Sequence, residues 1–411
     1  MSMSDAQDNA EISVILATYE RAGFIRAAIR SILNQTLPLK EIVVVDDGSQ
    51  DATAEVVAAF GDRVTYLHQK NAGKLAAIAR GLDHVTGGFV WIMDDDDLAT
   101  SDAMEALVEP LAADPGCVLS YGRMSRFEDG QENTDSDTDV PYPPPDNRPF
   151  LIALMEDCFI TGHPCVLVRR DALEAMRPFR SDILASVDYY LHLGVATQGK
   201  AAFVDRLVLR QRQHRGSRGP SALRYGEADR NARWIAHDKL LIGPLLQNLS
   251  LGAYLYDGDD PRHDAPVTDP LERRRALFQK ASIAARKKLW IAAMAAFREA
   301  APLEREAPLS ADEAEILSKA LGCRYGIDEV HDDPAIVREL RETANERRDP
   351  SEMLVPLSRP LLHEVKIARR ERDTNRARRA VVTWNRLMPI SSTFAAVRSI
   401  LTRNARRALS R

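Results

Sequence analysis

Short apolar runs and helix-spaced apolar positions alternate along the first hundred residues. Residues 12–17 form a run suited to a buried parallel strand, and Ile25, Ile29, Ile32 and Leu33 then recur at helical spacing. Residues 41–45 read as a second strand that stops abruptly at Asp46-Asp47-Gly48-Ser49. Val56, Val57 and Phe60 indicate a second helix, residues 64–68 a third strand, and Leu75, Ile78, Leu82 and Val85 a third helix. Gly87-Gly88 breaks that helix before a fourth strand at residues 89–93. This order predicts an α/β fold with a parallel sheet covered on both faces. Ligands of such sheets bind beyond the carboxyl ends of the strands, so the residues that end each strand carry the chemistry.

Strand signals return at residues 118–121 and 165–168, with Arg123 and Arg126 placed on the loop beyond the first of them. Between the two lies an acidic stretch at 128–139 and then Pro141-Tyr142-Pro143-Pro144-Pro145, which reads as a long surface loop or lid. After about residue 218, Ala, Leu, Arg and Glu dominate at helical spacing; Trp290, Ala293, Phe297 and Ala300 share one face, and no fixed repeat period emerges. From Lys366 onward the chain turns basic, with apolar Phe394, Val397, Ile400 and Leu401 among the arginines. That amphipathic pattern suits a solvated helix face or peripheral contact with an anionic membrane surface. The expected organisation is a disordered N-terminus at 1–10, an α/β domain at 11–218, a helical region at 219–365 and a basic amphipathic tail at 366–411.

Composition changes this picture little. A net charge of -5 over 411 residues does not indicate a nucleic-acid binder. Four cysteines without a CxxC pair argue against a structural zinc site or a disulfide framework. The polar start lacks a signal-peptide pattern and no apolar run reaches ~18 residues, so the expected location is cytoplasmic, with peripheral attachment to the inner membrane face as its variant.

The chemistry concentrates at Asp94-Asp95-Asp96-Asp97, directly after the fourth strand. Adjacent carboxylates repel one another, and a hard divalent cation such as Mn2+ or Mg2+ relieves that repulsion. Strand alternation would put Asp94 and Asp96 on one side and Asp95 and Asp97 on the other. The plainer reading is an acidic helix start, with Asp102 and Glu105 as a capping pair. A second acidic strand end, Asp46-Asp47, offers acceptors for a base N–H or a ribose hydroxyl, and Gly48 permits the tight turn. Neither GxGxxG nor GxxxxGK[ST] follows the first strand, so phosphate handling falls to a metal rather than to a glycine cradle.

Taken in order, several segments resemble family 2 glycosyltransferases of the GT-A fold. They are residues 13–20, residues 31–36, Glu41 to Ser49 with Asp51, Asn71-Ala72-Gly73-Lys74, Ala79-Arg80-Gly81, the Asp94 to Asp97 run, residues 169–173, Pro178-Phe179 and Val187-Asp188-Tyr189-Tyr190-Leu191. The resemblance spans roughly residues 11–216. It implies a Rossmann-like, mainly parallel mixed sheet followed by an α-helical region. It implies an inverting, metal-dependent transfer of a sugar from a nucleotide-diphosphate donor, UDP favoured, in surface polysaccharide or glycan assembly. Thr18, Tyr19 and Glu20 would then lie near base and ribose, Asp46 or Asp47 on the base, and Lys74 and Arg80 near the donor phosphates. Asp94 and Asp95 would contact the donor, Asp96 and His214 the metal, and Asp188 would be the general base. His163 and Asp97 would lie on the acceptor side, where a glycan, lipid-linked or protein acceptor binds. Glu20 stands where the family usually has Asn or Asp, and Val187 where it usually has Glu. A non-catalytic binding module on the same fold and a nucleotidyltransferase are the competing readings.

Overall fold

In the computed structural model, residues 11–132, 137–140, 149–160, 162–213, 227–255 and 266–388 are described. They form two compact units, with residues 155–157 grouping with the second.

The first unit follows the expected alternation. It runs β1 (Ile12–Thr18), α1 (Ile25–Leu33), β2 (Glu41–Asp46), α2 (Thr53–Ala58), β3 (Thr65–His68), α3 (Lys74–Leu82) and β4 (Phe89–Asp94). Then come β5 (Leu98–Ala99), α4 (Ala103–Ala113), β6 (Cys117–Glu128), β7 (Thr138–Asp139) and α5 (Phe150–Glu156). It closes with β8 (Val166–Arg169), α6 (Arg170–Glu174), α7 (Val187–Ala196) and β9 (Lys200–Gln213). The sheet order is β3-β2-β1-β4-β8-β6-β9-β5, with β7 on β6. Strands β1 to β4 pair in parallel, as do β6 and β9, whereas β8, β5 and β7 run antiparallel to their neighbours. The result is a mixed, mainly parallel sheet, as expected.

Register aligns the strand ends. Thr18 lies opposite Asp46, and Ala17 opposite Asp94, so β1, β2 and β4 release their C-terminal residues at one edge. Helix α3 is drawn close to the sheet because Gly81 has no side chain; a Cβ there would stand 2.5 Å from Ile15 Cγ2. Trp91 at the centre of β4 is fully buried, and its indole N–H donates to the Pro164 carbonyl at 2.8 Å.

Three sequence expectations change. Strand β6 continues to Glu128, which puts Arg123 and Arg126 inside the strand instead of on a loop. Strand β9, fourteen residues long, was unread because Arg210, Gln211, Arg212 and Gln213 interrupt its apolar signal. Asp102 and Glu105 do not form a capping pair: Asp102 pairs with Arg206, and Glu105 accepts from the Thr36 hydroxyl.

The second unit is helical: α8 (Glu227–Asn248), α9 (Pro270–Arg286), α10 (Trp290–Ala300), α11 (Ala311–Ala320), α12 (Asp328–Asp332), α13 (Pro334–Ala344), α14 (Ser351–Arg370) and α15 (Thr374–Leu387). Part of the stretch that composition sets apart as a basic tail is thus packed helix, with Ala380, Thr383 and Leu387 buried on α15; residues 389–411 lie outside the described residues. No helix among the described residues is long and apolar enough to cross a membrane.

Arg274 on α9 is 1% exposed and forks onto Glu313 of α11, with N–O distances of 2.7 and 2.9 Å. Its remaining N–H groups donate to the carbonyls of Leu303, Glu304, Ala307 and Pro308. Removing one member of a buried pair leaves an uncompensated charge, so Arg274→Ala should lower the stability of this unit by about 3–5 kcal/mol. Urea unfolding followed by tryptophan fluorescence checks this; a midpoint within error of wild type would show that the pair is not what holds α9 to α11.

Candidate active site

The carboxyl edge of β1, β2 and β4 is assembled by one loop bracing the next. The backbone N–H of Glu20 donates to Ser49 Oγ at 2.8 Å, that of Arg21 to Thr53 Oγ1 at 3.2 Å, and that of Ala22 to Asp51 Oδ2 at 3.1 Å. The turn after β2 therefore fixes the loop after β1. Gly48 permits this turn at φ +92°, and a Cβ there would stand only 2.9 Å from the Asn71 amide nitrogen. Glu20 itself is held at φ +53°, a left-handed conformation that Asn and Asp tolerate better than Glu.

The two aspartates ending β2 organise this edge from below. Asp46 accepts from the Ser49 amide at 2.8 Å and the Tyr66 hydroxyl at 2.6 Å. Asp47 accepts from Gln69 Nε2 at 2.7 Å and from the amides of Ala72 and Gly73, each at 2.8 Å. The last two bonds fix the start of α3, and with it Lys74. The Lys74 ammonium then lies 2.5 Å from Asp94 Oδ1 at the end of β4.

Lys74 also feels the carboxylates of Asp188 and Asp96. Burial acts to lower its pKa, but Asp94, Asp188 and Asp96 together push it above the usual lysine range. Asp188 is thereby brought to this edge from far along the chain. It sits half-buried in the first turn of α7, where the helix dipole favours a carboxylate. Its flanks are anchored: the Tyr189 hydroxyl donates to the Leu154 carbonyl at 2.9 Å, and Tyr190 packs edge-on against Phe179. The preceding Ser186 is left-handed at φ 54°.

Beyond Asp94 the chain turns instead of continuing as strand, yet Asp94 and Asp96 remain half-buried while Asp95 and Asp97 are buried. Burial, followed by the neighbouring Asp96, raises the Asp95 carboxyl to about 7, against the pull of Arg21, whose Nε is 3.7 Å away. Burial also pushes Asp94 up, offset by Lys74, and pushes Asp97 well up, aided by Asp96 and Asp94. Asp97 is held by the backbone N–H of Arg212, 2.9 Å from its Oδ1.

Several expected contacts are thereby redirected. Asp46 and Asp47 are buried and bonded to the loops around them, so they shape the edge. Asp97 faces inward onto β9 and not toward an acceptor. His163 is 2% exposed, stacked edge-on to His192 at 5.1 Å in a cavity of about 10 Å³, so it does not reach an acceptor side. Burial first, then Lys74 and His192, lowers the His163 pKa well below its usual value; burial takes His192 to about 4. Arg80 donates to the carbonyl of His68, the last residue of β3, at 2.9 Å. Thr18 is buried beside Asp95, Tyr19 half-buried and Glu20 exposed at the end of β1. His214 lies outside the described residues.

One residue was missed. Arg212 is 2% exposed, donates Nε to the Asp96 carbonyl at 2.9 Å, and pairs with Asp129 and Glu132. It ties the acidic turn to β9, and the legible signal was an arginine alternating with glutamines directly after an apolar run.

Among the described residues, no three His, Cys, Asp or Glu side chains converge as a closed metal cage. Magnesium-type ions commonly take only one or two protein carboxylates and complete their shell with water and substrate phosphate. The half-buried Asp94 and Asp96 fit such an open site.

Residues 13–177 match the model of glycosyl transferase family 2. A putative glycosyltransferase, EpsH of Bacillus subtilis, is 30% identical over 178 residues, covering 42% of this chain and 52% of the relative. Glycosyltransferase GlyA of Streptococcus pneumoniae is 38% identical over 104 residues, 25% of this chain and 15% of that one. The chain thus spans about half, or less, of the length of these relatives. Among solved structures, S. aureus TarS 1-349 overlays with a TM-score of 0.46 at 15% identity, covering 92% of this chain and 93% of that one. Overlays this loose leave the functional reading to the site itself.

Two measurements follow from this geometry. The folded chain holds the Asp95 proton from its ordinary value of 3.8 up to about 7, so stability falls as pH rises through that window. In metal-free protein, Asp95→Asn should therefore gain on wild type as pH rises from about 3.5 to 7.5, with its largest advantage at pH 7.5 and none below about pH 3.8, read by thermal unfolding. Identical pH profiles would show that Asp95 is not a buried acid. Glu20→Asn should raise the urea midpoint by the equivalent of about 1 kcal/mol, by relieving the left-handed backbone; a lowered midpoint would mean the Glu20 side chain itself stabilises the loop.

Proposed function

Because residues 13–177 are a family 2 glycosyltransferase domain, we propose that this chain moves a sugar from a nucleotide-diphosphate donor, UDP-linked by preference, to an acceptor hydroxyl with inversion. The supporting observation is the Lys74–Asp94 ion pair at the carboxyl edge of the sheet, within electrostatic reach of Asp96 and Asp188.

In this reading Thr18, Tyr19 and Glu20 wall the nucleobase and ribose, on a loop whose shape is set by the turn after β2. Lys74, with 37% of its side chain exposed, offers its charge to the donor diphosphate. Asp94 and Asp96 would hold Mn2+ or Mg2+, which supplies Lewis-acid neutralisation of the departing diphosphate when bound. The Asp188 carboxylate accepts the acceptor hydroxyl proton as that oxygen bonds to the anomeric carbon; the bond to the diphosphate breaks and the nucleotide leaves with its electron pair. A single displacement inverts the anomeric centre. Asp95 and Asp97 act through the shape of the turn, and Arg212 as the residue that anchors it. Surface-glycan assembly, with a glycan, lipid-linked or protein acceptor, is the setting this chemistry suits.

The test begins with calorimetric titration of UDP, GDP, CDP and dTDP, each with Mn2+ and with chelator, on wild type and Asp96→Ala. Metal-dependent binding of one nucleotide, lost in the variant, is the expected outcome. Asp188→Asn should bind that nucleotide normally and lose transfer by roughly 10²–10⁴-fold. Wild-type turnover in Asp188→Asn would reject its role as base, and no nucleotide binding at all would favour a binding module built on this fold.

A further inference from the structure

A second concavity of the first unit lies outside this constellation. It is a cleft of about 620 Å³ whose walls are α1 on one side and, on the other, β5, the end of β9 and the segment carrying Asp129 and Glu132. Strand β5 follows the acidic turn directly, and Arg212, which lines the cleft, holds the Asp96 carbonyl and the Asp97 carboxylate. The cleft is therefore structurally continuous with the proposed metal-binding turn.

Its charges are unevenly satisfied. Arg212 is spent on Asp129 and Glu132, and Arg210 on Asp137, with 2.7 Å contacts from both Nε and Nη2. Arg26 and Arg30 are different. They stand four residues apart on α1, so their side chains rise from one helix face; both are exposed and both line the cleft. Among the described residues neither guanidinium has a hydrogen-bond or ion-pair partner. Like charges at this spacing are mutually unfavourable. Arg26 also lies in the first turn of a helix that has no acidic residue there, where the helix dipole opposes a cation. An anion seated between the two guanidinium groups would relieve both penalties, and their planar forks match phosphate or carboxylate oxygens two at a time. Neutral polar groups, Asn34 and Ser101, line the same cleft and suit sugar hydroxyls.

We infer that this cleft binds an anionic portion of the acceptor glycan, a phosphate or carboxylate group held by Arg26 and Arg30; the assignment to the acceptor rests on the transferase reading above. The test is fluorescence anisotropy on the full chain with three labelled probes of equal length: oligogalacturonate, phosphorylated dextran and neutral dextran. At least one charged probe should bind, the neutral one should not, and Arg26→Ala/Arg30→Ala should weaken the charged probe by at least about tenfold. Which charged probe binds separates carboxylate from phosphate. Both substitutions are at exposed helix positions and favour helix formation, and the nucleotide titration should be unchanged in the double variant. Equal binding of a charged probe by wild type and double variant, equal binding of neutral dextran, or no binding of any probe overturns the inference. Nucleotide bound with charged glycans ignored sinks this inference alone. A charged probe bound through these arginines by a protein that takes no nucleotide sinks the transferase reading and its acceptor assignment, leaving an anion site.

Discussion

The site depends on one ion pair, Lys74 with Asp94. Four consecutive carboxylates at a strand end, joined by a fifth from α7, would repel one another and loosen the turn unless a cation stood among them. Lys74 supplies that charge from the protein itself. Its position is not left to its own flexible stem, because Asp47 grips the two amides immediately before α3, and Gly81 lets the helix lie close on β1. The acidic pair ending β2 thereby acts at a distance: it aims a lysine at the acids ending β4. Loss of Asp47 would be felt at Asp94 although the two carboxylates share no bond.

The same logic applies on the far side of the acidic turn. Asp97 and the Asp96 carbonyl are both held by Arg212, one through its backbone N–H and one through its guanidinium. A buried arginine is tolerable only if its remaining donors are satisfied, and Asp129 and Glu132 meet that need. The guanidinium also lies over the faces of Phe24 and Phe127. The turn is thus clamped from α3 on one side and from β9 on the other, which leaves Asp94 and Asp96 as its half-buried members.

How much of this the sequence discloses follows from what each element buries. Strands β1, β2 and β4 are buried on both faces and so appear as unbroken apolar runs that end in acids. Strand β9 carries arginines and glutamines that find partners only once the acidic turn and the 129–132 segment are in place, so its polar half hides a fourteen-residue strand. The internal bonds of Asp46, Asp47 and Asp97 are hidden from the sequence for a related reason. An aspartate after a strand looks like a ligand-facing group, and only three-dimensional burial reveals that backbone amides already occupy its oxygens. The resemblance would put His163 on the acceptor side; its burial follows only in three dimensions, where the Trp91 indole bonds to the carbonyl of the adjacent Pro164.

Backbone strain marks where this rigidity is applied. Glu20 and Ser186 are both left-handed without being glycine, and each immediately precedes or forms part of a segment that carries proposed function: the loop after β1 and the start of α7. Such conformations cost on the order of 1–3 kcal/mol and persist only where the surroundings over-determine them. Here the surroundings are identifiable. Ser49, Thr53 and Asp51 hold the three amides following Tyr19, and Tyr189 with Tyr190 fixes the helix that Ser186 begins. The strain is therefore local and externally imposed, and it places a loop and a carboxylate at one sheet edge that neither segment would adopt by propensity alone.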